Sequence, residues 1–153
     1  MAKAKIRPLQ LAPEQRRMIR SQVGGLCYRV RNERAEILLV TTRGAGRWII
    51  PKGWPLAGET SGASALQECW EEAGVVGTLS GSALGAFTYV KDRAEDDHPH
   101  SVTVFPVKVK RLEDKYPEAK QRRRKWFSTA KAAQRVTEPE LRQMLAAFDP
   151  TRF

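Results

Sequence analysis

Residues Gly53–Val75 read GWPLAGETSGASALQECWEEAGV. Gly53, Pro55 and Gly58 keep Lys52–Glu59 out of regular structure, so this part is predicted to be a loop. Thr60 or Ser61 then supplies an N-cap and Gly74 a stop, which predicts a helix running to about Ala73. On it Leu66, Cys69, Trp70 and Ala73 follow helical spacing and form an apolar face. Glu68, Glu71 and Glu72 stand at offsets of zero, three and four, which share a face, expected to be the one opposite Leu66, Cys69 and Trp70. Like charges so crowded destabilise a bare helix and resist ionisation. A hard divalent cation reverses that penalty. Magnesium takes oxygen ligands and is commonly held by one or two carboxylates plus substrate phosphates. A spare carboxylate beside bound water can then act as general base. Taken alone, a solvated helix face accounts for such a cluster better than a metal site does; the flanking residues change that balance.

Outward from this stretch the pattern is mostly short strands. Gln22–Val30 and Glu36–Thr42 are rich in Val, Leu, Ile and Tyr, with Arg31–Ala35 as a hairpin turn between them. Arg47–Ile50 is a brief strand halted by Pro51. Val75–Leu79, Ala83–Lys91 and Ser101–Lys110 read as further strands, with the acidic stretch Asp92–Asp97 as a loop. Lys120–Lys125 is a basic run leading into Trp126-Phe127. Thr137-Glu138-Pro139-Glu140 has the form of a capping box opening a last helix, whose Leu141, Met144, Leu145 and Phe148 make a core-facing stripe. Two helices are expected, no repeats and no linker. The organisation is a basic tail over 1–19 and one α+β domain over 20–153.

The 153 residues suffice for one core without staples. No apolar stretch approaches the roughly 18 residues that span a bilayer, and Met1–Arg20 has no apolar block, so neither membrane insertion nor a secretory signal is expected. Cys27 and Cys69 are too few for a disulfide framework or a four-thiolate zinc site; as buried thiols they place the protein in the cytoplasm. The net charge of +10 draws in polyanions. Nucleic acid, an acidic membrane surface and a small polyphosphate all satisfy it. His98 and His100 have no partners spaced to complete a metal site. Trp48, Trp54 and Trp126 are expected to pack rather than to stack on a ligand.

The segment from Gly53 resembles the Nudix box, G-x5-E-x7-R-E-U-x-E-E-x-G-U with U aliphatic. Gly53, Glu59, Glu68, Glu71, Glu72, Gly74 and Val75 are all in register. Gln67 replaces the arginine, and Cys69 an aliphatic residue. Where arginine would set a fixed positive charge beside the glutamates, Gln67 offers only hydrogen bonds. Gly25–Tyr28, Ile37–Arg43, Arg47–Gly53, Arg111–Asp114 and Arg122–Phe127 are similar to the diphosphoinositol polyphosphate phosphohydrolase branch of that family. The resemblance implies a Nudix α/β/α sandwich around a mixed sheet, and magnesium-dependent hydrolysis of a phosphoanhydride, with manganese as a possible substitute. It implies Glu68 and Glu72 as metal ligands with the carbonyl of Lys52, Glu71 as the base, and Glu59 as a brace between loop and helix. Arg20, Thr42, Arg43, Lys91, Arg122 and Arg124 are the implied phosphate contacts, Arg43 and Arg122 foremost. The substrate class is a diphosphoinositol or diadenosine polyphosphate. Two alternatives stand beside it. One is a nucleoside polyphosphate or capped RNA 5′ end, which a purine stack on Trp54 or Tyr28 would favour. The other is a catalytically weak domain that binds nucleic acid.

Overall fold

The computed structural model of the chain describes residues 19–90 and 98–153. Among these residues eight strands and three α-helices follow one another: β1 (Arg20–Arg31), β2 (Arg34–Thr41), β3 (Trp48–Ile49), β4 (Lys52–Gly53), α1 (Ser61–Ala73), β5 (Val75–Leu79), β6 (Gly85–Val90), β7 (Pro99–Leu112), β8 (Arg124–Ser128), α2 (Thr129–Arg135) and α3 (Pro139–Ala146), closed by a 3₁₀ turn at Pro150–Arg152. The sheet order is β3-β2-β1-β7-β5, with β4 beside β1, β6 beside β7 and β8 beside β2. β1 and β7 run parallel and the other pairs antiparallel, so the sheet is mixed. The β1–β2 hairpin turns on Asn32 and Glu33, both at positive φ (50° and 64°), the conformation a two-residue turn needs to match strand twist.

Side chains alternate across a strand, and β1 shows what covers each face. Cys27 meets Cys69 of α1, with the sulfurs 3.3 Å apart. Tyr28, on the opposite face, meets the ring of Phe148 just beyond α3 at 4.9 Å. The sheet is therefore sandwiched, α1 on one side and the C-terminal helices on the other. The core cluster, with Leu26, Ile37–Val40, Ile50, Phe87, Val102, Val104, Leu141 and Leu145 fully buried, runs through both layers. α1 sits close because β1 is small beneath it: a Cβ on Gly25 would lie 2.2 Å from the Cys69 sulfur. Among the described residues no helix is long and apolar enough to cross a membrane.

Several expectations are corrected. Lys52–Gly53 is a short strand, pairing with Val23 and Gly24 of β1, rather than the start of a loop. β8, which begins inside the basic run, and α2 lie where no strand or helix was assigned. The capping box at Thr137 does not form. Glu138 is the N-cap and makes no side-chain cap bond, while the Glu140 carboxylate accepts from the Thr88 amide and hydroxyl at 3.2 and 2.9 Å. The three glutamates of α1 are not all opposite its apolar face either. Glu72 is only 7% exposed and shares the buried side with Ala65, Cys69 and Ala73. The expected acidic loop Asp92–Asp97 lies outside the described residues.

Candidate active site

α1 is capped at both ends as its sequence requires. The Thr60 hydroxyl accepts from the Ala63 amide at 3.1 Å, and Gly74 closes the helix in the left-handed conformation at φ 66°. A side chain at Gly74 would be strained twice over, since its Cβ would also lie 2.5–2.8 Å from Tyr116, Arg124 and the Glu113 carbonyl. The loop before α1 is fastened by the Ser64 hydroxyl, which accepts from the Leu56 amide at 2.9 Å. Glu59 is exposed in the same loop.

The helix brings Glu68 and Glu72 against β4. Glu72 Oε1 accepts from the Lys52 amide at 3.2 Å. A Cβ on Gly53 would fall 2.2–2.5 Å from the Glu68 carboxyl, so only glycine lets that carboxylate lie over the strand. Burial pushes the Glu68 carboxyl from 4.5 up to about 7, with the charges of Glu72, Glu71 and Glu118 adding to the rise. Burial also lifts Glu72 from 4.5 to about 7, opposed by Arg122 and by the Lys52 amide. Glu71, one helical turn from Gln67, accepts from the Gln67 side-chain Nε2 at 3.2 Å. Among the described residues no three His, Cys, Asp or Glu side chains form a metal cage. Two carboxylates and a backbone carbonyl of β4 nevertheless suit magnesium, which keeps waters and takes its remaining ligands from phosphates.

The basic residues divide. Arg122, its side chain 10% exposed, donates to Glu72 at 3.2 Å, to Glu118 at 3.1 Å and to the Thr41 carbonyl at 3.1 Å. Arg43 is 63% exposed, donates to Gln121 at 3.0 Å, and reaches Glu118 only at 3.9 Å. Arg124 is turned to the end of α1, donating to the carbonyls of Ala73 and Glu113 at 2.8 Å each. Thr42 closes the next loop, its hydroxyl accepting from the Arg47 amide at 2.9 Å. Arg20 is exposed at the start of β1, opposite His100; it is four residues from Gly24, the partner of Lys52, roughly 13 Å along a strand. Lys91 lies outside the described residues. Glu118 was not expected from the sequence. It sits in an aperiodic connection, where no spacing marks it.

A family model described as NUDIX domain matches residues 20–148. Diphosphoinositol polyphosphate phosphohydrolase NUDT4B of Homo sapiens is 32% identical over 129 residues, 84% of this chain and 68% of that protein. Nudix hydrolase 21, chloroplastic, of Arabidopsis thaliana is 33% identical over 133 residues, 84% of this chain and 66% of that protein. The chain thus spans about two thirds of the length of these relatives. Among solved structures, an Ap4A hydrolase of C. elegans superposes with a TM-score of 0.63 at 23% identity, covering 84% of this chain and 95% of that one.

Proposed function

Because the chain belongs to the NUDIX domain family, as one of its hydrolases, we propose that it uses magnesium to cleave a phosphoanhydride bond in a densely phosphorylated small molecule, of the diphosphoinositol or diadenosine polyphosphate class. The observation that carries this reading is the pair Glu68 and Glu72, pressed against β4 and bordered by the guanidinium of Arg43 across Glu118. One half-buried and one buried carboxylate are poorly placed for a surface that only binds anions, which argues against a purely nucleic-acid-binding domain. They are well placed to hold a divalent cation.

Magnesium held by Glu68, Glu72 and the Lys52 carbonyl would polarise phosphoryl oxygens and offset charge in the transition state. The chain's own groups do the rest. Gln67 fixes one oxygen of Glu71, leaving the other to take the proton of an attacking water. The water oxygen forms a bond to phosphorus as the bridging anhydride bond breaks, and the departing phosphate carries off the electron pair. Arg43, exposed at the rim, is the phosphate contact this geometry favours, since its fork can turn toward two phosphate oxygens. The two unbridged, buried thiols support placing the protein in the cytoplasm.

One observation favours the nucleoside reading. Trp54, next to Gly53, is 46% exposed and offers a face to a purine, whereas Tyr28 is buried and its hydroxyl is bonded to Ser80 at 2.9 Å. A turnover screen separates the readings: inositol pyrophosphates, diadenosine polyphosphates, nucleoside triphosphates and capped RNA, each with magnesium and with chelator. The expected outcome is magnesium-dependent release, fastest for the most phosphorylated substrates and little changed by Trp54→Ala. Turnover confined to nucleotides and lost in Trp54→Ala would establish the second reading instead. No turnover of any substrate would overturn both.

A further inference from the structure

α1 carries three glutamates and not one lysine or arginine between Ser61 and Ala73. Its carboxylates must nevertheless coexist in a partly dry setting before any cation arrives. One guanidinium meets them. Arg122 Nη2 lies 3.2 Å from Glu72 Oε2 and 3.0 Å from Glu118 Oε1, its Nε donates to the same Glu118 oxygen at 3.1 Å, and its Nη1 donates to the Thr41 carbonyl at 3.1 Å. Each of its three nitrogens is engaged and the side chain is 10% exposed. A phosphate-gripping arginine looks different, and Arg43 shows the difference at 63% exposed with one long contact to the same Glu118.

We propose that Arg122 is the built-in counter-charge of the α1 carboxylates, a positioning residue that holds Glu72 while no divalent cation is bound and yields it when one binds. The inference rests on the reading of Glu68 and Glu72 as cation ligands. Glu118 makes the exchange possible. When a cation takes Glu72 Oε2, the guanidinium loses one of two carboxylates and keeps the other, so no buried charge is stranded. The backbone fixes that second partner in place, because the Glu118 amide donates to the Glu71 carbonyl at 3.0 Å. Glu118 is thereby tied to the very helix turn that carries Glu71 and Glu72. The helix lacks a cation of its own, and a distant segment supplies one.

The test needs no substrate. Thermal unfolding of the whole chain is followed in chelator and across a magnesium series, for the wild type, Arg122→Gln, Arg122→Lys and Glu118→Gln. Arg122→Gln is expected to lower the chelator Tm by roughly 5–10 °C, the scale for stranding a buried carboxylate in a domain of this size. Its magnesium-induced rise should be about twice that of the wild type, since the cation then supplies the counter-charge that Arg122 no longer gives. Arg122→Lys should recover most of the chelator Tm. Glu118→Gln should weaken apparent magnesium affinity several-fold, because Glu72 is then the one carboxylate left to Arg122. Adding Gln67→Arg to Arg122→Gln should restore stability in chelator, with the charge now supplied by the helix itself. A wild-type response to magnesium that is unchanged in Arg122→Gln overturns the inference and leaves the metal reading intact. If Arg122→Gln does not fold, an unchanged magnesium response in both Arg122→Lys and Glu118→Gln overturns it equally. Absence of any magnesium response in the wild type overturns the metal reading and this inference together.

Discussion

α1 and the connection Glu113–Arg124 meet edge to edge, and they contribute opposite things. The helix brings three carboxylates with no cation. The connection brings two of its three guanidinia to the helix, Arg122 at the flank on Glu72 and Arg124 at the end on the Ala73 carbonyl, and it is stitched to the helix by the Glu113 and Glu118 amides, which donate to the Gly74 and Glu71 carbonyls at 2.9 and 3.0 Å. One element holds the groups suited to chemistry. The other holds the charges that let those groups be packed together. An arginine at a helix C-terminus also meets the negative end of the helix dipole, so the two guanidinia stabilise the same helix by different means. The lesson is that a reactive cluster on one element implies its counterweight on another.

The comparison breaks hardest at the carboxylates. Glu68→Gln and Glu72→Gln each keep a hydrogen-bonding oxygen and lose the charge, so steady-state kinetics should show turnover falling by about 10²–10⁴-fold, several kcal/mol of lost charge stabilisation. Both variants should stay folded, since Arg122 retains Glu118. Turnover close to the wild type in both would move the chemistry away from this pair.

On the other side of the comparison the effect should appear in stability. Arg124→Ala removes two short bonds from a charged donor to the carbonyls of Ala73 and Glu113 and a stack over the Tyr116 ring at 4.9 Å. Bonds from charged groups contribute about 1.5–3 kcal/mol each, and part of their loss is recovered by water, so urea unfolding should show a cost of about 2–4 kcal/mol. Arg43→Ala should stay within about 0.5 kcal/mol of the wild type, as exposed surface sites do, and should raise KM instead. If Arg124→Ala raised KM and left stability alone, Arg124 would be a phosphate contact after all.

The helical half of this comparison was legible in the sequence and the other half was not. Thr60, Gly74 and the spacing between them delimit α1 through local rules, because capping and periodicity act within a few residues. Even there one side chain was misplaced. Glu72 stands three residues after Cys69 and seven after Ala65, which puts it on the buried stripe; grouping it with Glu68 and Glu71 by charge hid that. β8 was hidden because Arg124 and Lys125 are poor strand signals, yet their pairing with Val40 and Leu39 of β2 is set by the sheet. The short helix α2 did leave a signal, Ser128 as an N-cap before TAKAAQR, a run of good helix formers. Arg122 was recognisable as a basic residue near the site. Its engagement by Glu72, Glu118 and Thr41 depends on contacts 50, 4 and 81 residues away in the chain, two of them beyond the reach of any local pattern.

The smallest effect expected is on pH, and it belongs to the helix alone. Glu68 and Glu72 are both lifted by burial from 4.5 to about 7, with Glu71, Glu118, Arg122 and Lys52 as the charged groups around them. A carboxyl with a higher pKa folded than unfolded binds more protons in the native state, so native stability falls as pH rises from 4.5 and levels off once pH passes about 7. In chelator, the Tm of the wild type should therefore drop by a few degrees across that window relative to the double variant Glu68→Gln/Glu72→Gln, which has no such protons to lose. Magnesium competes with the same protons, so the Tm it adds should grow over the same window and be smallest at its acid end. Asp149 shifts the other way, held low by its bonds from Thr151, and its titration lies below 3.8, outside the window. Arginine does not titrate there either, so the slope should persist in Arg124→Ala even as the whole curve moves down. A wild-type Tm that rises with pH between about 5 and 7, relative to the double variant, would mean that the cluster is held charged by its surroundings. The helix would then already have its counter-charge in full, and a divalent cation would have no penalty left to relieve.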